Sequence, residues 1–438
     1  MPSVDLVVKH GLVYTSQGLL RSDVAVDDGR IVKIFVDGSY AGDETVDAEG
    51  KVVIPGLVDT HDHFREPGFE EMEDWLTGSK AAAAGGVTMA VGMPNTMPPP
   101  TSLEAFKRTI ELASKSHVDF NHWGLPTNLA EIPRIAEYGA IGFKFFMQYD
   151  HWGYPHLPEY AITNSGDILE TFRAVARTGL PCAVHPFDQE LWEFKEKTVK
   201  RHEGQTEGMI KDFLYQDKAI VTNMGITKAI LLADAVSCRL HVLHVNTRRP
   251  LQLCRMFKDH GYRITVETNP RAIATVWKTE PTDIEAALRS IGDGTTDVVG
   301  SDHAPKSRKV AERMGPGWPF VQNYLRVMLT FVNRGTLSLD AVVRTHAENP
   351  AKLLGVYPRK GMIAEGSDAD FAVVDMKKRY IIKAEDNYSK SNWADPWEGT
   401  EVQGAPVITV VRGTTVMEDG EIVGKPGYGQ FVRPTLHS

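Results

Sequence analysis

The sequence predicts an α/β fold: a (β/α)8 barrel flanked by short β segments at both chain ends. Three observations predict it. Eight apolar, strand-like runs recur through the middle of the 438-residue chain, helix-like stretches separate most of them, and the texture on either side is alternating β. Strands that are apolar on both faces and alternate with helices argue for a parallel sheet covered by helices. Eight such strands argue for closure into a barrel rather than an open sheet. The competing doubly wound sheet lacks its signature, because no GxGxxG follows the first run.

The first fifty residues read as short antiparallel strands, with "VDLVVKHGLVYT" and "GRIVKIFV" broken by Gly and Asp. The repeating region opens at "VVIPGLVDTHDHF". Its eight runs are Gly56–Phe64, Thr88–Met93, Val118–Gly124, Gly142–Met147, Pro181–Pro186, Arg239–Val245, Arg263–Asn269 and Asp297–Ala304. Helical patterns such as "SLEAFKRTIELASKS", "SGDILETFRAVARTG" and "MGITKAILLADAVS" lie between them. "AAAAGG" reads as a helix ending and "PPP" as a loop. The last eighty residues return to strand texture in "DADFAVVDM" and "PVITVVRGTTVMEDGEIV".

Composition narrows the class of function. Hydrophobic residues are 42% and charged residues 24%, as in soluble globular proteins. A formal charge of -9 argues against nucleic-acid binding through a bulk positive field. Cys182, Cys238 and Cys254 form neither a disulfide framework nor a thiolate metal site, which fits a reducing compartment. The N-terminus lacks the build of a signal peptide, and no apolar run approaches the roughly 18 residues of a membrane span. A soluble cytoplasmic protein with neither a membrane nor a nucleic-acid partner is expected.

A barrel enzyme places its reacting groups at the C-terminal ends of its strands. The first run ends in Asp59-Thr60-His61-Asp62-His63. Side chains alternate faces along a strand, so His61 and His63 point the same way and can share one metal. Lys144 stands in the fourth run among Gly142, Phe143, Phe145 and Phe146. Burial disfavours its ammonium form, and a neutral amine can add carbon dioxide to give a carbamate able to bridge two cations. The plain alternative is a lysine snorkelling to the barrel rim. His185 ends the fifth run. His241 and His244 in the sixth face opposite ways, and the flanking pattern favours His244 as the inward one. In "GSDHAP", Asp302 is a hard oxygen ligand and a general-base candidate. His303 faces the other way, toward a supporting role or a substrate contact. Imidazole with carboxylate suits zinc, and manganese, iron or cobalt are acceptable.

At these residues the chain resembles the amidohydrolase superfamily and, within it, the cyclic-amidase branch of hydantoinase and dihydropyrimidinase, dihydroorotase and allantoinase. "VIPGLVDTHDHFREPG", "AAAAGGVTMAVGMPNTMPPP", "GFKFFMQY", "VLHV", "GSDHAP" and "NPAKLLGVYPRKGMIAEGSDADFAVVD" follow that branch in order and spacing. The resemblance implies a TIM-like barrel over residues 55–361, with a small β-sandwich built from residues 1–54 and 362–438. It implies that His61, His63 and Asp302 bind the more buried of two divalent metal ions, that His185 and His244 bind the second, and that N6-carboxylated Lys144 bridges both. It gives Tyr149 the developing oxyanion. It also implies a homodimer or homotetramer, with "KPGYGQFVRP" packing on a neighbouring subunit. Two metals roughly 3.5–4 Å apart would make hydroxide near neutral pH, and Asp302 would carry the proton from water to the departing ring nitrogen.

The ring is less sharply specified. Arg65 in "HDHFREPG" and Asn95 in "GMPNT" follow the pattern by which dihydroorotases hold a substrate carboxylate. "GFKFFMQY" is hydantoinase in style. Lys306 stands where dihydroorotases usually have histidine, and Pro270-Arg271 and "HPFD" also depart from the family pattern. The expected reaction is hydrolysis of a cyclic amide, imide or ureide, with Arg65, Asn95, Arg271 and His303 as substrate contacts. The alternatives are a dihydroorotase-like enzyme acting on a carboxylated ring, a ring that is neutral with Arg65 paired to a neighbouring carboxylate, or a metal-free assembly protein.

Overall fold

In a computed structural model, residues 3–36, 38–149, 157–200, 219–273, 281–314 and 317–435 are described. The N-terminal alternation becomes five strands: β1 (Ser3–Thr15), β2 (Gly18–Asp27), β3 (Arg30–Phe35), β4 (Ala41–Asp47) and β5 (Val52–Pro55). Period two sorts their side chains. Leu6, Val8, Val24 and Val26 enter one buried cluster, while Val7 and Ala25 enter a second. Both faces are therefore dry.

The expected parallel strands all form: β6 (Leu57–Asp62), β7 (Val87–Gly92), β8 (Asp119–Gly124), β9 (Gly142–Phe146), β10 (Cys182–His185), β11 (Leu240–Val242), β12 (Ile264–Thr268) and β13 (Val298–Val299). Sheet order equals sequence order, as a (β/α)8 barrel requires. Every residue of β6, β7, β8 and β9 is buried, which explains apolar runs without alternation. The strands β14 (Phe371–Ile381), β15 (Glu401–Val411), β16 (Thr414–Glu418) and β17 (Glu421–Ile422) follow. Antiparallel pairing of β14 with β5, Phe371 opposite Pro55, joins both chain ends in one nine-stranded sheet.

By compactness the chain divides into two units. One unit is Met1–Pro98, Lys107–His122 and Val298–His437, and the other is Pro99–Phe106 and Trp123–Asp297. In the first unit β7 pairs in parallel with β6 and with β8 up to His122. In the second, the end of β8 pairs with β9, and β9 to β12 pair consecutively.

Local chemistry shapes the loop after β6. Asp74 caps the helix Trp75–Ala84 by accepting from the Thr77 N–H at 2.8 Å. The Ala81–Ala84 run ends at Gly85, so "AAAAGG" is the helix ending expected. The C-terminal tail lies along its own chain. Phe120 N–H donates to Gln430 O at 2.9 Å, Val432 N–H donates to Phe120 O at 3.0 Å, and Gly429 N–H donates to Ser116 O at 3.0 Å. Gly429 is needed there because a Cβ would stand 1.9 Å from Val118 O.

Candidate metal centre

In the first unit, the ends of β6 and β13 bring three of the expected ligands together. Asp302 Oδ1 stands 3.4 Å from His61 Nε2 and 3.3 Å from His63 Nε2. All three ligand atoms lie within 4.8 Å of one another, and all three residues are buried. A tetrahedral ion with bonds of about 2.1 Å sets its ligand atoms about 3.4 Å apart. Two imidazole nitrogens and a carboxylate oxygen at this spacing fit a zinc-like cation.

The backbone supports this placement. Asp59 Oδ1 accepts the N–H of His61 at 3.1 Å and of Ser301 at 2.9 Å, tying the two strand ends together. His63 N–H donates to His303 O at 2.8 Å. Asn95 Oδ1 lies 2.7 Å from His63 Nδ1, so that nitrogen carries the proton and Nε2 presents its lone pair. Burial, reinforced by the Arg65 charge, pushes His63 from 6.5 down to about 3, which keeps the imidazole neutral.

The second unit holds the other expected ligands. Lys144 is 1% exposed, with Nζ 3.0 Å from the centre of the Phe146 ring. In the β9–β10 register Lys144 lies opposite Ala183, and Phe146 lies opposite His185. His185 Nδ1 meets His244 Nε2 at 2.7 Å. His244 has φ 40 and gives its N–H to Glu267 Oε1 at 3.3 Å. His241 is fully buried, stacks on Trp123 at 6.4 Å, and has Nδ1 2.9 Å from Thr265 Oγ1. Tyr149 accepts from Thr163 Oγ1 at its hydroxyl, 3.4 Å away, and its N–H donates to Gln189 Oε1 at 3.1 Å.

The expected substrate contacts divide. Arg65 is 4% exposed at φ 64, next to the His61/His63 strand end. Arg271 is partly exposed, with its N–H on Asn269 Oδ1 at 3.1 Å. Asn95 already has its carbonyl on His63. His303 is wholly buried, with Nε2 3.2 Å from Glu73 Oε2 and its ring edge-on to Phe64. Glu73 and Glu267 were missed from the sequence. An acid inside the apolar run "ITVET" was a readable signal for Glu267, but Glu73 carried none.

Asp119, Asp368 and Asp370 also cluster closely enough for a cation. The Lys360 ammonium already fills that cluster, at 2.5, 3.0 and 2.6 Å from the three carboxylates. Burial would strip its proton, but the three acids outweigh burial and hold it charged.

A buried His-His-Asp cluster at strand ends of an eight-stranded parallel barrel defines a metal-dependent barrel enzyme. Residues 52–416 match the Amidohydrolase family, and the chain belongs to it. It is similar over 98% of its length to the solved L-hydantoinase (dihydropyrimidinase) from Arthrobacter aurescens, at 31% identity and a TM-score of 0.88, covering 100% of that chain. It is 32% identical to a dihydroorotase from Methanothermobacter thermautotrophicus, over 95% of each chain. It is 31% identical to an allantoinase from Rubrobacter xylanophilus, over 99% of this chain and 98% of the relative. The protein is therefore a metal-dependent cyclic amidohydrolase. Among the described residues no helix is long and apolar enough to cross a membrane.

Proposed function

We propose that this enzyme opens the amide bond of a cyclic amide, imide or ureide that carries an acidic substituent. The observation that carries the reading is the convergence of His61 Nε2 and His63 Nε2 on Asp302 Oδ1 at 3.4 and 3.3 Å, with Arg65 buried beside them. A divalent metal pair, zinc by the donor set, would when bound supply Lewis acidity and lower the pKa of water to about 7. His61, His63 and Asp302 would hold one ion, His185 and His244 would hold the other, and Lys144, if carboxylated, would serve both. Asp302 takes the proton of the attacking water and returns it to the ring nitrogen as the C–N bond breaks. The Tyr149 hydroxyl donates to the carbonyl oxygen as it gains charge, a contribution of about 3 kcal/mol in comparable sites. Arg65 offers a planar fork matched to a carboxylate, with Asn95 and Arg271 as further contacts.

A second reading, a dihydroorotase-like enzyme, is favoured by the same Arg65 and by the dihydroorotase among the relatives. One panel separates the readings: hydantoin, dihydrouracil, dihydroorotate, allantoin and succinimide, assayed with the wild type and with Arg65→Ala. The proposal expects turnover of a ring with an acidic group and a rise in KM on Arg65→Ala of about 10-fold or more, the loss of one bidentate ion pair. Unchanged turnover of such a ring by the variant would reject the grip. Mass spectrometry of the native enzyme, read for one added carbon dioxide at Lys144, tests the carbamate.

A further inference from the structure

Glu73 lies outside the ligand set, yet it is completely buried and accepts from every side. Ser389 Oγ donates to its Oε2 at 2.5 Å, Asp74 N–H donates to its Oε1 at 3.2 Å, and the Thr77 hydroxyl also donates to Oε1. The fourth contact is His303 Nε2, 3.2 Å from Oε2. A carboxylate so surrounded is a fixed acceptor, so the His303 nitrogen that faces it carries the proton.

His303 transmits this fixation to the ligands through its backbone. Its carbonyl accepts the N–H of His63 at 2.8 Å, its own N–H donates to Ser301 Oγ at 3.0 Å, and it bridges in parallel to Asp62. Asp302 sits between Ser301 and His303 at φ 49, a left-handed conformation that a non-glycine residue adopts only when its surroundings impose it. With Ser301 pinned to Asp59 and His303 pinned to Glu73, Asp302 cannot relax without breaking one of those ties. Ser389 itself is braced: its Oγ accepts the Ser391 N–H at 3.1 Å, and neighbouring Lys390 pairs with Asp74 at 2.6 Å.

We propose that Glu73, set by Ser389, is a positioning residue for the metal cluster. Through the His303 ring it holds the backbone segment that presents Asp302 and steadies His63. This rests on the reading that His61, His63 and Asp302 bind a metal. The segment after β14 therefore takes part in the metal site from a distance of 316 residues along the chain.

The test is competition for zinc between the folded apoprotein and a chromophoric chelator, with thermal melts alongside. Glu73→Ala and His303→Ala should weaken zinc binding about 10- to 100-fold, with Ser389→Ala changing it in the same direction. His303→Gln, whose amide N–H can reach Glu73, should recover most of the loss. His303→Asn, whose shorter amide cannot, should not recover it. That pair differs only in reach, so it decides the matter even if Glu73→Ala does not fold. On the ring the wild type opens, kcat should fall more than KM rises. A merely structural Glu73 would lower the melting temperature and leave the zinc affinity of the folded fraction unchanged; that result overturns the proposal. A wild type that binds no zinc overturns instead the metal reading beneath it.

Discussion

Three of the residues singled out for chemistry share a backbone feature. Arg65, His244 and Asp302, at φ 64, 40 and 49, are among nine non-glycine residues in the left-handed region among the described residues. Such conformations cost about 1–2 kcal/mol each, so each needs a neighbour that enforces it. For His244 the visible neighbour is Glu267, which takes its N–H. For His63 the corresponding support acts on the side chain, through Asn95. Removing that acceptor leaves a buried Nδ1–H without its bond, at a cost of about 1–3 kcal/mol, and frees the ring to turn. Asn95→Ala should therefore weaken zinc binding about 10-fold or more, while Asn95→Asp, which keeps the acceptor oxygen, should lose much less. Zinc titration of the two folded apoproteins checks this; equal affinities would show that Asn95 does not orient His63.

At the scale of elements, one lysine joins the start of β8 to the segment leading into β14. Lys360 Nζ lies 2.5 Å from Asp119 and 2.6 Å from Asp370, and the Arg412 Nε–H donates to Asp119 at 3.1 Å. Lys360→Met would leave buried carboxylates without their cation and should destabilise the protein by about 3–5 kcal/mol in urea unfolding. A loss under about 1 kcal/mol would mean that Arg412 and protonation compensate. None of this network was legible in the sequence, because an ion pair between distant residues leaves no periodicity. The strands were legible for the opposite reason. β6 to β13 all fall where apolar runs stand between glycines, prolines and charges, because burial on both faces writes itself into consecutive residues. The alternation rule also placed His61 with His63 and turned His303 away from Asp302. What His303 turns toward, a glutamate 230 residues distant, could not be read from alternation. The tail's path along β8 was illegible for a similar reason: its hydrogen bonds there are backbone bonds, and any sequence can make them.

For the whole molecule, the match over residues 52–416 sets the chemistry, while relatives near 31% identity are named for three different rings. Loops choose the ring, and the barrel with its buried imidazoles keeps the reaction. Those imidazoles make stability depend on pH. Burial lowers His346 from 6.5 to about 4, and burial with the Arg65 charge lowers His63 to about 3. The sign follows from proton counting: below pH 6.5 the unfolded chain protonates both rings while the folded chain leaves both neutral. The unfolded state thus binds more protons, and stability falls as pH falls, approaching about 1.4 kcal/mol per pH unit for each ring. His117, lowered to about 4, adds in the same direction. Urea midpoints of the metal-free protein should drop steadily from pH 6.5 to about 5, a window above the ordinary carboxylate range. His346 Nδ1–H donates to Val342 O at 2.9 Å, so His346→Asn can keep that bond while removing a titrating ring. The variant should flatten the slope by the share of one proton. A slope that the variant leaves unchanged would show that His346 protonates in the folded state as readily as in the unfolded one.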